Sequence, residues 1–288
     1  MAQMRICTQA FHVTKLGNAA DEYEDAFFPE SFTDRVDGFR CAVADGASES
    51  VFAKAWAQAL VRSFGAGEMY LDKLRDEWQK NVGSQRLPWF LEKKSRRGAF
   101  AAFIGLSLRT NATARSRAKA DRKPRTSATD WMPLEGSGNG AARNGSGWHT
   151  EKAQGRVSGT WRAVAVGDSC LFQLRGDNLI TVGPVCKSEQ FDNSPFLIGS
   201  KSTDTIRRGD PNVSLHSGTW SRGDRFYLAT DALAQWLLLR HEADMPAWEM
   251  LRELGATDTR DFDDLICEMR AEHDLHNDDT TLLRVEVT

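Results

Sequence analysis

The sequence predicts an α+β fold, and three observations predict it. Short runs rich in β-branched and aromatic residues are separated by glycine and asparagine turns. One pair of them, Cys170 to Leu174 with Leu179 to Val182 around Gly176-Asp177, has the spacing of an antiparallel hairpin. Phe52, Ala55, Trp56, Ala59, Leu60 and Phe64 recur at three- and four-residue intervals just after a strand-like run, which lays an amphipathic helix against a sheet. The chain closes on Leu282 to Val287, where Leu283, Val285 and Val287 alternate with Arg284 and Glu286 as in a strand.

In chain order, Met4 to Val13 alternates apolar and polar residues and stops at Gly17-Asn18, which reads as a first strand and turn. Asp21-Glu22-Tyr23-Glu24-Asp25 runs into Ala26-Phe27-Phe28, and Gly38 to Ala44 reads as the hairpin partner of that strand. Ser48 or Ser50 suits the N-cap of the helix that follows. Leu71, Leu74 and Trp78 mark a second helix, and Ala99 to Leu108 fits either a buried strand or a helix piece by period alone, with strand the preferred reading. Trp161 to Val166 and Asp224 to Thr230 are further strands. Trp236 to Leu239, the group Trp248, Leu251 and Leu254 behind Pro246, and Leu265, Ile266 and Met269 read as short helices. Residues 110–158 shift to Arg, Lys, Ala and Thr and then to Gly-Ser-Gly-Asn-Gly, with too few apolar residues to offset the entropy of ordering. A flexible insertion is expected there, inside a single domain spanning 1–288.

Composition excludes several function classes. With 288 residues and 41% hydrophobic content the chain can bury a substantial core. Its 37 Lys and Arg against 40 Asp and Glu give a formal charge of -3, without the basic field that draws proteins onto nucleic acid. The cluster Arg115, Arg117, Lys119, Arg122, Lys123 and Arg125 has no interleaved aromatic for base stacking; it reads as a solvated linker with the charge to meet an acidic partner. Five scattered cysteines without a Cys-x-x-Cys spacing argue against a disulfide framework and a structural zinc site, so a reducing cytoplasm is expected. No apolar run approaches the roughly 20 residues of a membrane span, and no signal-peptide core is present, so no membrane partner is expected.

The chemistry is carried by acids at strand ends. Cys41 to Ala44 is an apolar run that delivers Asp45 into Gly46, and a carboxylate at the end of a buried strand needs a cation or several donors to stay ionised. Asp231 follows another strand, Asp278 precedes the last, and Glu24-Asp25 open a fourth. If those strands share a sheet, the acids converge on one edge. Their repulsion is then relieved by a hard cation with oxygen ligands, Mg²⁺ or Mn²⁺. Unrelated turn residues would carry the same local pattern.

The ordered set Glu24-Asp25-Ala26, Val43-Ala44-Asp45-Gly46, Gly167-Asp168-Ser169, Ala229-Thr230-Asp231 and Asp278-Asp279-Thr280-Thr281 resembles the metal-dependent type-2C serine/threonine protein phosphatases, the PPM superfamily, in its bacterial form. The resemblance implies a four-layer α-β-β-α sandwich of two antiparallel sheets flanked by helices. It implies two Mn²⁺ or Mg²⁺ ions, with Asp45 bridging them, the Gly46 carbonyl and water held by Glu24 completing one, and Asp231 and Asp278 holding the other. Asp25 matches a carboxylate that orients water, and Asp168 a turn former. The implied reaction is hydrolysis of phosphoserine or phosphothreonine in a phosphoprotein substrate by a metal-activated water.

Departures qualify the resemblance. Where the family carries a phosphate-gripping Arg, Ala20 stands, and Lys15 is the candidate substitute for binding substrate phosphate. Ala47 replaces a His found after Asp-Gly in eukaryotic members, and Ala232 a common glycine. Ser95, Arg96 and Arg97 stand where a third-metal acid would lie, so two ions are expected. Ala20 and Ala47 also motivate an alternative, a catalytically impaired phosphatase-like regulatory or binding module. His273 and His276 flank the last acidic motif and are read as solvated.

Overall fold

The computed structural model describes residues 3–83, 88, 92, 94–111, 158–192, 194–201, 210–254 and 260–288. The strands are β1 Met4–Val13, β2 Ala26–Phe28, β3 Ser31–Val36, β4 Gly38–Gly46, β5 Phe100–Thr110, β6 Ser158–Val166, β7 Cys170–Arg175, β8 Asn178–Gly183, β9 Ile198–Gly199, β10 Ser214–Ser221, β11 Asp224–Ala229 and β12 Thr280–Val287. The helices are α1 Ala53–Ala66, α2 Leu71–Gly83, α3 Asp231–Glu242, α4 Ala247–Glu253 and α5 Arg260–Ala271.

All strand pairings are antiparallel and form two sheets. The first has the order β3-β1-β12-β11-β7-β8, and the second β10-β6-β5-β4-β2, with β9 added beside β5. Three apolar clusters separate the layers. Between the sheets lie Ile6, Val43, Ile104, Trp161, Phe226, Leu228 and Val285; α1 and α2 cover the outer face of the second sheet through Trp56, Leu60, Phe64 and Trp78; α3, α4 and α5 cover the first through Trp236, Leu237, Leu251, Phe262 and Ile266. Strands packed on both faces need no strict alternation. Cys41, Ala42, Val43 and Ala44 are all buried, with Cys41 and Val43 facing the other sheet and Ala42 and Ala44 facing α1.

The expected α+β four-layer sandwich is therefore the observed architecture, and two local expectations change. The strand Ala26–Phe28 does pair with β4, but β3 lies between them in sequence and joins β1 in the other sheet, so the two are not a simple hairpin. Helix α1 is capped by neither Ser48 nor Ser50: its N-cap is Phe52, in the left-handed region at φ 67, without a side-chain cap bond. Ser50 instead donates to the Ala47 carbonyl at 2.8 Å. Strands β3, β9 and β10 had no sequence expectation; β10 is rich in Ser, Thr and Gly, which mask a strand pattern. The 110–158 insertion lies almost wholly outside the described residues. Its two ends sit side by side, with Thr110 of β5 opposite Gly159 of β6. No described helix is long and apolar enough to cross a membrane.

Trp161 shows how the sheets are locked together. It rises from β6, is fully buried, meets Phe226 of the opposing sheet edge-on at 6.0 Å, and donates its indole N–H to Gln173 Oε1 at 2.9 Å. Trp161→Ala is expected to cost about 3–5 kcal/mol, whereas Trp161→Phe keeps the packing and loses chiefly the bond to Gln173, about 1–3 kcal/mol. Denaturant unfolding of both variants checks the ranking, and equal losses would contradict it.

Candidate metal centre

The acids meet at one end of the sandwich, but not by sharing a sheet. Asp45 ends β4 and Glu24-Asp25 precede β2 in the second sheet, while Asp231 follows β11 and Asp278 precedes β12 in the first. The sequence condition of a common sheet is thus corrected: the cluster is assembled across the gap between two sheets.

The Asp45 carboxyl is pushed well above the usual carboxylate range, first by burial and then by the charges of Asp25, Asp231, Asp278 and Asp168. Asp25, 2% exposed, is raised for the same first reason, then by Asp279 and Asp231, and is eased by Thr281, whose hydroxyl donates to Asp25 Oδ2 at 2.6 Å. Its other oxygen, Oδ1, is buried without a hydrogen-bond partner. Asp231 is raised by burial and by Asp278, and is partly stabilised by the Ala232 N–H at 2.6 Å in the first turn of α3. Glu24 is raised mainly by burial. These carboxyls repel one another in a poorly solvated place, which is costly unless protons or cations neutralise them.

Gly46 is explained by closeness rather than by a turn. It remains paired in β4, opposite Ala101, and a Cβ there would lie 2.6 Å from the Glu24 carbonyl oxygen and 3.0 Å from the Ala53 backbone. Only glycine lets the segment carrying Glu24 lie directly on the end of β4.

Lys15 enters the cluster as a cation. Its ammonium donates to Ser48 Oγ at 2.7 Å and stands 3.8 Å from Asp278 Oδ1 and 4.0 Å from Glu24 Oε2. Ala20 lies exposed in the single turn Ala20–Glu22. Ala47 donates its N–H to the Phe100 carbonyl at 3.0 Å.

Three residues organise the site without having been singled out from the sequence. Asp279, 4% exposed, accepts the Lys15 N–H at 2.9 Å on one oxygen and the Glu24 N–H at 2.7 Å on the other, so one carboxylate fixes both loops. Arg270, from α5, donates to the Thr14 carbonyl at 2.9 Å and to Thr280 Oγ1 at 3.1 Å, and also reaches the Asp278 carbonyl. Thr281 hydrogen-bonds Tyr23 as well as Asp25. The duplicated Asp278-Asp279 and Thr280-Thr281 were the available signal, but nothing local distinguishes the clamp from the candidate ligand. Asp168 occupies its expected turn, and the structure adds that its carboxyl is buried and pushed up to about 7 by burial and by Asp231. His276 is exposed, yet close enough for its charge to favour ionised Asp231.

By sequence, no protein-family model and no curated protein matches the chain. By structure, the serine/threonine phosphatase PstP/Ppp of Mycobacterium tuberculosis is similar at 12% identity, covering 98% of each chain with a TM-score of 0.50. The catalytic domain of PstP in complex with 2 manganese ions is similar at 13% identity, covering 99% of each chain, again with a TM-score of 0.50. The chain has the fold of the PPM-type serine/threonine phosphatases. PppA, described as a key regulatory component of T6SS in Pseudomonas aeruginosa, matches to the same degree, at 14% identity over 98% of each chain with a TM-score of 0.50.

The residues present at this end of the PPM-type fold suit a hard cation. The donors are carboxylate and carbonyl oxygens, Asp25 Oδ1 is an orphaned buried acceptor, and the cluster is short of positive charge. Among the described residues no three His, Cys, Asp or Glu side chains form a group that could hold an ion alone. Backbone carbonyl and water ligands would therefore have to complete the coordination.

The raised carboxyls make stability pH-dependent in a definite direction. For Asp168 the folded value of about 7 lies above the ordinary 3.8, so its contribution is present below pH 3.8 and is lost as pH rises through 7. In chelator, Asp168→Asn is expected to lose less stability than the parent between pH 5 and 7.5. Melting curves of the two proteins at both pH values decide this, and parallel losses would contradict it.

Proposed function

We propose that the chain is a metal-dependent phosphomonoester hydrolase acting on phosphoserine or phosphothreonine of proteins. The observation that carries the proposal is the gathering of Asp45, Asp231 and Asp278, with Glu24 and Asp25, from both sheets into one cluster with Asp45, Asp25 and Asp231 at its buried centre, in the fold of the PPM-type phosphatases. Asp45, the Gly46 carbonyl, Asp231 and Asp278 would hold two Mn²⁺ or Mg²⁺ ions. Such ions, when bound, supply charge neutralisation at the phosphoryl oxygens and a water made acidic enough to attack near neutral pH.

The remaining roles belong to the chain itself. Glu24 and Asp25 accept protons and hydrogen bonds from water; burial raises both, so each holds a proton more readily than a free carboxyl. Lys15 offers an ammonium to a phosphate oxygen from beside Glu24 and Asp278. Asp279 keeps the Lys15 and Glu24 backbones at fixed separation, so the cation and the water-handling carboxylate stay in register. The proton for the leaving oxygen comes from water, since Ala47 offers none. The impaired-module alternative rests on Ala20 and Ala47. A lysine within ion-pair range of the acids weighs against it.

Incubating purified protein with Mn²⁺ and a phosphopeptide tests the reading: phosphate release that is abolished by chelator and reduced at least about 100-fold by Asp45→Asn is expected. Absence of release, or release indifferent to that substitution, would overturn it. Lys15→Met is expected to raise KM by about tenfold while lowering kcat less, the signature of a lost ground-state phosphate contact. Steady-state kinetics separate the two parameters, and an unchanged KM would remove Lys15 from the phosphate.

A further inference from the structure

A groove of about 770 Å³ shares Tyr23 and Asp25 with the acidic cluster and runs away from it between β1, β2 and α1. One wall is Phe27, Phe28 and Pro29, with the His12 ring tilted against Phe27 at 5.3 Å and against Tyr23 at 5.1 Å. The opposite wall is Lys54, Gln58 and Arg62, spaced four residues apart and so aligned on one face of α1 over about 12 Å. Lys54 lies 6.0 Å from the Tyr23 ring centre and donates to the Asp21 carbonyl at 3.2 Å. Arg62 is exposed and has neither a hydrogen bond nor an ion pair among the described residues. Glu30 is the acid on the strand side, exposed beyond Pro29.

The groove also borders an unused sheet edge. β2 ends its sheet, pairing with β4 on one side and with no described strand on the other. Such an edge offers backbone donors and acceptors to an extended chain, and 12 Å accommodates about four extended residues.

We infer that this groove seats the polypeptide flanking the phosphorylated residue, extended along β2 with acidic side chains turned toward Lys54 and Arg62. The inference rests on the phosphatase reading and narrows its substrates to phosphoproteins with acidic residues beside the phosphorylation site. Apolar or aromatic flanking side chains face Phe27 and Phe28, while basic ones meet the α1 wall with like charge.

The test uses the Mn²⁺-loaded full chain and phosphopeptide pairs differing only in acidic or basic flanks, with p-nitrophenyl phosphate as a substrate that has no flank. Non-hydrolysable phosphonate versions of the same peptides, fluorescently labelled, report binding by anisotropy. The acidic peptide is expected to be favoured about fivefold in kcat/KM and in Kd, as two surface charge pairs allow. Arg62→Glu should erase or invert that preference with p-nitrophenyl phosphate turnover unchanged. Equal affinity for both peptides, or a preference that survives Arg62→Glu, overturns the groove assignment. If neither the phosphopeptides nor p-nitrophenyl phosphate is hydrolysed while the anisotropy preference holds, the phosphatase reading falls and the groove assignment stands.

Discussion

Mutual repulsion among carboxylates held at the junction of two sheets is the constraint that organises this end of the molecule. Asp45 and Asp25 come from one sheet and Asp231 and Asp278 from the other, so packing the sheets face to face forces their charges together where water is scarce. The apolar slab between the sheets, with Trp161 and Phe226 at its heart, supplies the stabilisation that offsets this cost. A cation that binds between the acids would recover part of it, which couples metal binding to folded stability.

Around that junction the chain uses hydrogen bonds to set position rather than to add charge. Asp279 is as acidic as its neighbour Asp278, yet both its oxygens are taken by backbone N–H groups of Lys15 and Glu24. Arg270 approaches from behind and binds the Thr14 and Asp278 carbonyls, so its charge supports the loops without lying among the candidate ligands. Thr281 orients Asp25 through one oxygen and leaves the other unpartnered. Of two adjacent aspartates, one is thus structural and one remains available, and the difference lies in which loops pack beside them.

The departures that weakened the family resemblance also acquire a physical meaning. Ala20 removes a long cationic side chain from an exposed turn, while Lys15, five residues earlier, reaches the cluster from the loop after β1. Gly46 is retained because a side chain there would strike the Glu24 carbonyl, a requirement of close packing that holds with or without an ion.

Much of the fold was legible because its signals are local. The β1 boundaries, the β7–β8 hairpin, the helical spacing of α1 and the alternation in β12 all follow from residue periodicity, which a few neighbours are enough to set. The order and type of the acid motifs were legible for the same reason. Polar β10 and two-residue β9 escaped because their pairing is dictated by β6 and β5, not by their own composition. The sequence by itself determined which residues were acidic, where most of the strands lay and that oxygen donors would be the available ligands. Only the tertiary structure decided that β2 and β4 belong to one sheet and β11 and β12 to the other, that Lys15 stands among the acids, and that Asp279 is a clamp. Those outcomes depend on which apolar faces meet across the sandwich, between residues as much as 264 positions apart in the chain, and no local pattern encodes that meeting.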